Sequence, residues 1–444
     1  MVRELPEGRR PELESERPDP IVAQSRESTE VPEAGYTSGM NGSSIRQGMT
    51  SARRWVGLGA LVALLVTIAC ASPPQPGHHP VHPMKKHAVP EGKERPIATT
   101  PVVDLSTLSE LETLIPALAD RRVVLIGETH DRLEHHLVQL EILRGLHAID
   151  PQIAIGMEAF QQPFQRHLDD YVAGKLSERE LLRESEYYER WRFDFRLYAP
   201  ILRFAREHEL PLIALNLPVE ITRKVGKEGI EALSDEERAE IPEEIDRSDA
   251  EYEGRLEEVF ERHPRIEGRS FERFLEVQLL WDEGMAERAA GFLESHPEYR
   301  FVILAGSGHI AYGSGIPRRL VRRIPASTAV VLVGWRGELE TGLGDYLLLP
   351  QERDLPAAGR IGAFLDEDDG RLEVSSCTSG SACEKAGLKS GDQILALDGQ
   401  PITSMADLKL VMWDKSPGDR IEMEIRRKRW LGGPRQLKRE IVLQ

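Results

Sequence analysis

Five polar residues stand where chemistry can use them. Glu128 and His130 lie in Gly127-Glu128-Thr129-His130, Glu158 follows Gly156-Met157, Asn216 follows Ile213-Ala214-Leu215, and His309 lies in Gly306-Ser307-Gly308-His309. Each falls one to four residues past a short run of Val, Ile, Leu, Met, Phe, Ala or Gly, at residues 123–126, 153–157, 212–215 and 301–305. Imidazoles and carboxylates together ligate transition metals, and the same groups serve as general acid and base without one. His136, one turn into the segment after His130, is a further candidate on whichever face its helix turns inward.

The elements that must position these residues follow from patterning. Short apolar runs without polar alternation are expected of parallel strands covered by helices on both faces. Residues 328–333 add a fifth run, and Leu133, Leu137, Leu140, Leu143 and Leu146 recur at helical spacing. Strands alternating with helices predict an α/β domain over residues 101–348, with a mostly parallel central sheet flanked by helices. A long helical insertion is expected at 234–292, interrupted by Pro264 and Gly268. In such a sheet ligands bind beyond the carboxyl ends of the strands, so the five polar residues should share one crevice. Residues 350–359 read as a linker. Beyond it, residues 359–444 read as a small β-rich domain, in which Ile421, Met423 and Ile425 alternate with Glu422, Glu424 and Arg426.

The 444 residues carry 57 Lys+Arg against 74 Asp+Glu, a formal charge of −17. That balance argues against nucleic acid as a partner, since displacing phosphate counterions needs positive charge. Three cysteines exclude a disulfide-rich scaffold and a four-cysteine zinc site. Residues 1–48 are polar and Pro-rich and read as a disordered leader, with translation expected to start at Met40 or Met49. Arg53 and Arg54 precede an apolar run from Trp55 to Ala69. The run is short for a bilayer span, so residues 49–70 read as a secretory signal. Its Ile68-Ala69-Cys70 ending resembles a bacterial lipobox, which makes Cys70 the expected lipid attachment point and membrane anchor in the cell envelope. Residues 71–100, with His78, His79, His82 and His87, read as a flexible tether. No GxxxxGK[ST], HExxH or GxSxG occurs. The loose Gly306-Ser307-Gly308-His309-Ile310-Ala311 fingerprint lacks the acidic residue that a nucleotide ribose needs.

Taken in order, these motifs resemble the ChaN-like proteins of the haem-binding-uptake, Tiki superfamily. The resemblance runs from Ser106 to Val333. It includes Glu128, His130, His136, Glu158 and Gln165, the Trp191, Phe195, Tyr198 set, Asn216 and His309. It implies an α/β fold and a lipoprotein of haem or iron acquisition, while wider relatives are metal-dependent peptidases or esterases. Haem or a divalent metal is therefore the implied cofactor. His309 and Tyr312 are candidate haem ligands, and Tyr187, Tyr188 and Tyr198 read as packing.

Residues 359–444 resemble a PDZ domain, on Ala382-Cys-Glu-Lys-Ala386-Gly387-Leu388-Lys-Ser-Gly391-Asp392-Gln-Ile394-Leu-Ala-Leu397-Asp398-Gly399. The resemblance implies capture of a C-terminal peptide as an added strand, with Arg360, Ile361, Gly362 and Ala363 as carboxylate loop and Phe364 opening the strand. Cys377 and Cys383 are either paired or two free thiols. Three functions remain open: a haem- or metal-binding protein, a metal-dependent hydrolase using Glu128, His130, Glu158 and His309, and an adaptor acting through the PDZ domain. A homodimer is compatible with all three.

Overall fold

The computed structural model describes residues 103, 105–262, 270–335, 337, 339–429 and 433–444. The leader, signal segment, tether and Cys70, and also Pro264 and Gly268, lie outside the described residues.

Six strands form a parallel sheet: β1 Val123–Glu128, β2 Ile153–Gln161, β3 Leu212–Asn216, β4 Arg300–Gly306, β5 Thr328–Val333 and β6 Tyr346–Leu348. Their order is β3-β2-β4-β1-β5-β6. All six residues of β1 are buried, because alternate side chains enter two cores. Val124 and Ile126 pack with Leu140, Leu143 and the helix Phe195–Glu207 on one face. Val123 and Leu125 pack with Met285, Ala289 and the helix Ile316–Arg323 on the other. Period-two alternation thus survives in a strand that reads as continuously apolar. β6 has only three residues, half-buried and too few to show such a pattern, and the sequence reading does not include this sixth strand.

The expected insertion is less helical than its composition. One turn at Asp235–Arg238 is followed by an irregular stretch, then the helices Ala250–Arg262 and Phe271–Ser295. Pro242 in that stretch has no N–H to give a helix. Asp246 instead donates its backbone N–H to the buried carboxylate of Glu283 at 2.8 Å.

The second sheet is antiparallel. Its strands are β7 Ala363–Asp368, β8 Arg371–Cys377, β9 Asp392–Leu397, β10 Gln400–Pro401, β11 Arg420–Arg427 and β12 Arg435–Val442. The order is β12-β11-β9-β8-β7, with β10 paired to β9. Ile421, Met423 and Ile425 are buried, as alternation requires. Arg427 holds the buried Asp392 through two contacts of 2.6 Å. Cys377 and Cys383 are joined by a disulfide.

The helix Met405–Met412 serves both halves of the chain. Leu408 and Val411 enter the core of the second sheet, whereas Ala406 and Leu410 join the core of the first. Trp413 meets Phe195 edge-on at 5.3 Å. Arg179 donates to the Leu410 carbonyl at 2.7 Å and to Asp414 at 2.9 Å. We expect Trp413→Ala to weaken this docking by about 2 kcal/mol. Limited proteolysis of the irregular segment 349–358 should then accelerate, and an unchanged cleavage rate would show that the indole does not hold the contact.

Candidate functional site

The site is built at the carboxyl ends of β1, β2 and β4. Glu128 is the last residue of β1. The pairing of β2 with β3 shifts register between Met157 and Gln161, and Glu158 sits within that irregular stretch. Gly306 ends β4, and a 3-10 turn, Ser307–His309, carries His309. Because β4 lies between β1 and β2, groups from both neighbours close over Gly306. A Cβ there would lie 3.0 Å from the His130 ring and 3.6 Å from Glu158. The backbone N–H of Gly306 donates to Glu158 Oε2 at 2.7 Å.

Glu128 is 4% exposed, and its carboxylate is the hub of one network. It accepts hydrogen bonds from the Tyr198 hydroxyl at 2.6 Å and from the Gln139 amide at 2.7 Å. His130 Nδ1 lies 2.9 Å from it and His136 Nδ1 3.2 Å. Burial alone would raise its pKa, but the His136 charge and the hydrogen bonds of both imidazoles outweigh burial and hold it well below the ordinary range. For the same reason His136 is raised: burial opposes its charge, and Glu128 more than compensates. His136 is thus an inward histidine, 1% exposed, its Nε2 on the His130 carbonyl at 3.1 Å. Its neighbour His135 is also buried and takes the Thr129 N–H on Nδ1 at 3.0 Å.

A second network centres on His309. Its Nδ1 is 2.7 Å from Asp282 and its Nε2 3.5 Å from Glu158. Asp282 in turn accepts a hydrogen bond from the Tyr252 hydroxyl. Burial pushes His309 down, yet Glu158 and Asp282 override it and raise the imidazole to about 9. Sequence reasoning missed Asp282 and Tyr252. A signal existed: Leu275, Leu279, Asp282, Ala286, Ala289 and Leu293 form one buried helical stripe. A charge on such a stripe needs a partner.

The structure brings Glu128, His130, His136, Glu158 and His309 together. Asn216 closes the row from β3, with its Nδ2 on the Glu158 carbonyl at 3.2 Å and its buried Oδ1 without a partner among the described residues. Tyr312, at φ 60°, lies elsewhere. Arg255 covers its ring at 4.3 Å, and it lines a cavity of about 390 Å³ with Pro317, Val330 and Asp345. Tyr187, Tyr188 and Tyr198 are core residues, and Tyr198 also bonds Glu128 through its hydroxyl. In the second sheet, Ala363 already belongs to β7, one residue earlier than expected. Gly362 has φ 71°, and a Cβ there would collide with Ser381. The Gly362 and Ile361 carbonyls accept from Thr378 and Cys383 at 2.9 and 2.8 Å, so the disulfide loop braces the proposed carboxylate loop. The N–H groups of Ile361 and Gly362 donate to no partner among the described residues.

His130 is the group best suited to a ligand. Its side chain is 26% exposed, its Nδ1 is held by Glu128, and its Nε2 has no hydrogen-bond partner among the described residues. Metal-ligating imidazoles are held in this way, by a carboxylate on the far nitrogen. Trp191 and Phe193 flank the ring at 4.7 and 5.0 Å, an apolar wall of the kind a porphyrin face needs. These residues fit haem. Among the described residues, no group of three or more His, Cys, Asp or Glu side chains is arranged to hold a bare metal ion.

The His309 shift has a consequence for stability. A histidine near 6.5 when unfolded and about 9 when folded stabilises the fold fully below pH 6.5 and loses that contribution as pH rises through 9. Unfolding free energy measured from pH 6 to 10 should therefore fall over this window, and His309→Gln should flatten the fall. An equal slope in the variant would assign it to other groups.

Residues 114–320 match the family described as haem-binding uptake, Tiki superfamily, ChaN, and residues 359–431 match the PDZ domain. A protein named RETICULATA-RELATED 5, chloroplastic, of Arabidopsis thaliana is 25% identical over 260 residues, covering 52% of this chain and 34% of its own. The periplasmic pH-dependent serine endoprotease DegQ of Escherichia coli is 29% identical over 126 residues, covering 28% and 26%. The chain thus spans about a third or less of these curated relatives. A solved structure of ChaN of Campylobacter jejuni, whose subject is cofacial haem binding, is 20% identical at a TM-score of 0.45, covering 55% of this chain and 92% of that one. Residues 114–320 belong to the ChaN family of the haem-binding-uptake, Tiki superfamily, and residues 359–431 form a PDZ domain.

Proposed function

We propose that this protein is an envelope lipoprotein, anchored through Cys70, that holds haem at the mouth of its α/β domain and recruits a C-terminal peptide through its PDZ domain. The observation that carries the haem reading is His130. It has an open Nε2, a carboxylate behind Nδ1 and two aromatic rings beside it, within a haem-binding-uptake domain. Haem bound here would be held at its iron by His130 Nε2, and the iron would supply the redox-active centre. Glu128 fixes the tautomer that leaves Nε2 free, Trp191 and Phe193 offer the porphyrin an apolar face, and iron acquisition is the role this binding serves. The peptide reading is carried by the free N–H groups of Ile361 and Gly362 beside the edge strand β7.

One observation favours a second reading, hydrolysis of a peptide or ester in the same crevice. His309 is backed by Asp282 and Tyr252 and faces Glu158, so a proton can be held at its Nε2 and passed to a leaving group.

Haemin titration of the whole chain separates the two. Under the first reading a Soret band develops and saturates, and His130→Ala weakens binding at least about tenfold with circular dichroism unchanged. A Soret response identical in His130→Ala would sink it. Under the second, haem-free protein cleaves an activated ester with a bell-shaped pH profile that His309→Asn abolishes.

A further inference from the structure

We propose that the open edge of β7 selects C-terminal peptides with basic residues at the third and fifth positions before their last residue. This rests on the peptide-binding reading above and adds the chemistry of the partner.

β7 ends its sheet, so one side of its backbone has no neighbouring strand among the described residues. Its side chains divide by period two. Ala363 and Leu365 pack on the domain core, and Glu367 turns the same way to accept the Met405 N–H at 3.2 Å. Phe364, Asp366 and Asp368 occupy the opposite face, and all three are exposed. Phe364 is 66% exposed, unusual for so large an apolar side chain.

An added antiparallel peptide advances one residue along β7 for each residue back from its end. With its carboxylate on the Ile361 and Gly362 N–H groups, the last residue lies beside Ala363 and the one before it beside Phe364. The third before the last then lies beside Asp366, and the fifth beside Asp368.

What stands behind these two acids sets the preference. Asp366 is opposite Glu373 of β8, a like charge directly across the ladder. Glu373 has Lys428 at 3.4 Å, but Asp366 has no ion pair among the described residues. Asp368 is opposite Arg371, whose guanidinium is instead 3.5 Å from Asp369. Both acids therefore reach the open edge with their charge uncompensated. A cation on the incoming strand supplies the missing cross-strand partner, and an acid there meets repulsion. The same acids could serve only to keep the edge from pairing with other chains. That role makes no demand on the sequence of a bound peptide, so affinity distinguishes the two.

The experiment uses the whole chain and two fluorescein-labelled ten-residue peptides with the same apolar last residue. They differ only in carrying Lys or Glu at the third and fifth positions before it. Fluorescence anisotropy at about 50 mM salt should show the Lys peptide binding about tenfold more tightly, with the gap closing near 0.5 M as screening shortens. The double variant Asp366→Lys, Asp368→Lys should reverse the order. If that variant does not fold, the salt dependence in the native chain carries the test. Equal affinity for the two peptides overturns the proposal while leaving peptide capture standing. No binding of either peptide up to about 1 mM overturns both.

Discussion

The buried carboxylate of Glu128 is the constraint around which the α/β domain is arranged. An ionised carboxylate removed from water is costly unless donors surround it. Here they arrive from separate segments: His130 from the loop after β1, His136 and Gln139 from the next helix, and Tyr198 from the helix Phe195–Glu207. Each must be in place for the others to be satisfied. The charge on β1 therefore specifies how two helices seat on one face of the sheet. The helix that supplies Tyr198 begins with Phe195, on which Trp413 of the PDZ domain packs.

The second network repeats the logic with different parts. His309 leaves the sheet at β4, and the long helix Phe271–Ser295 brings Asp282 to it from the opposite layer. Tyr252, from a third helix, completes the chain of hydrogen bonds. The two networks meet at Gly306, where the absence of a side chain lets His130 and Glu158 approach across one backbone. Both layers of the domain are thus tied to the same few atoms above the strand ends. Among the described residues, His130 Nε2 stays free of both networks.

Much of this was legible before the structure. Five of the six parallel strands announced themselves as apolar runs, and the position of Glu128, Glu158, Asn216 and His309 just beyond four of those runs pointed to a common crevice. Other parts were not. His135 and His136 are adjacent on one helix, and spacing alone does not say which face is inward. Both are buried, one on the Thr129 N–H and the other beside Glu128. Tyr198 read as packing because an aromatic cluster hides the one hydroxyl that bonds a charge. β6 is three half-buried residues at the sheet edge, Tyr346–Leu348, too short an apolar run to be told from the linker that follows.

By itself the sequence determined the layers: short apolar runs alternating with helical patterns read as covered strands, and the alternation in β11 reads as a half-covered one. It also placed the reactive residues at the strand ends, since both facts are local to a few residues along the chain. Only the tertiary structure decided which imidazole is paired twice and which keeps a free nitrogen. It alone disclosed that Asp282 stands behind His309, that Cys377 meets Cys383, and that one helix face of the PDZ domain belongs to the α/β core. The reason is physical: a buried polar group is satisfied by partners distant in sequence, and their identity exists only once the layers have packed.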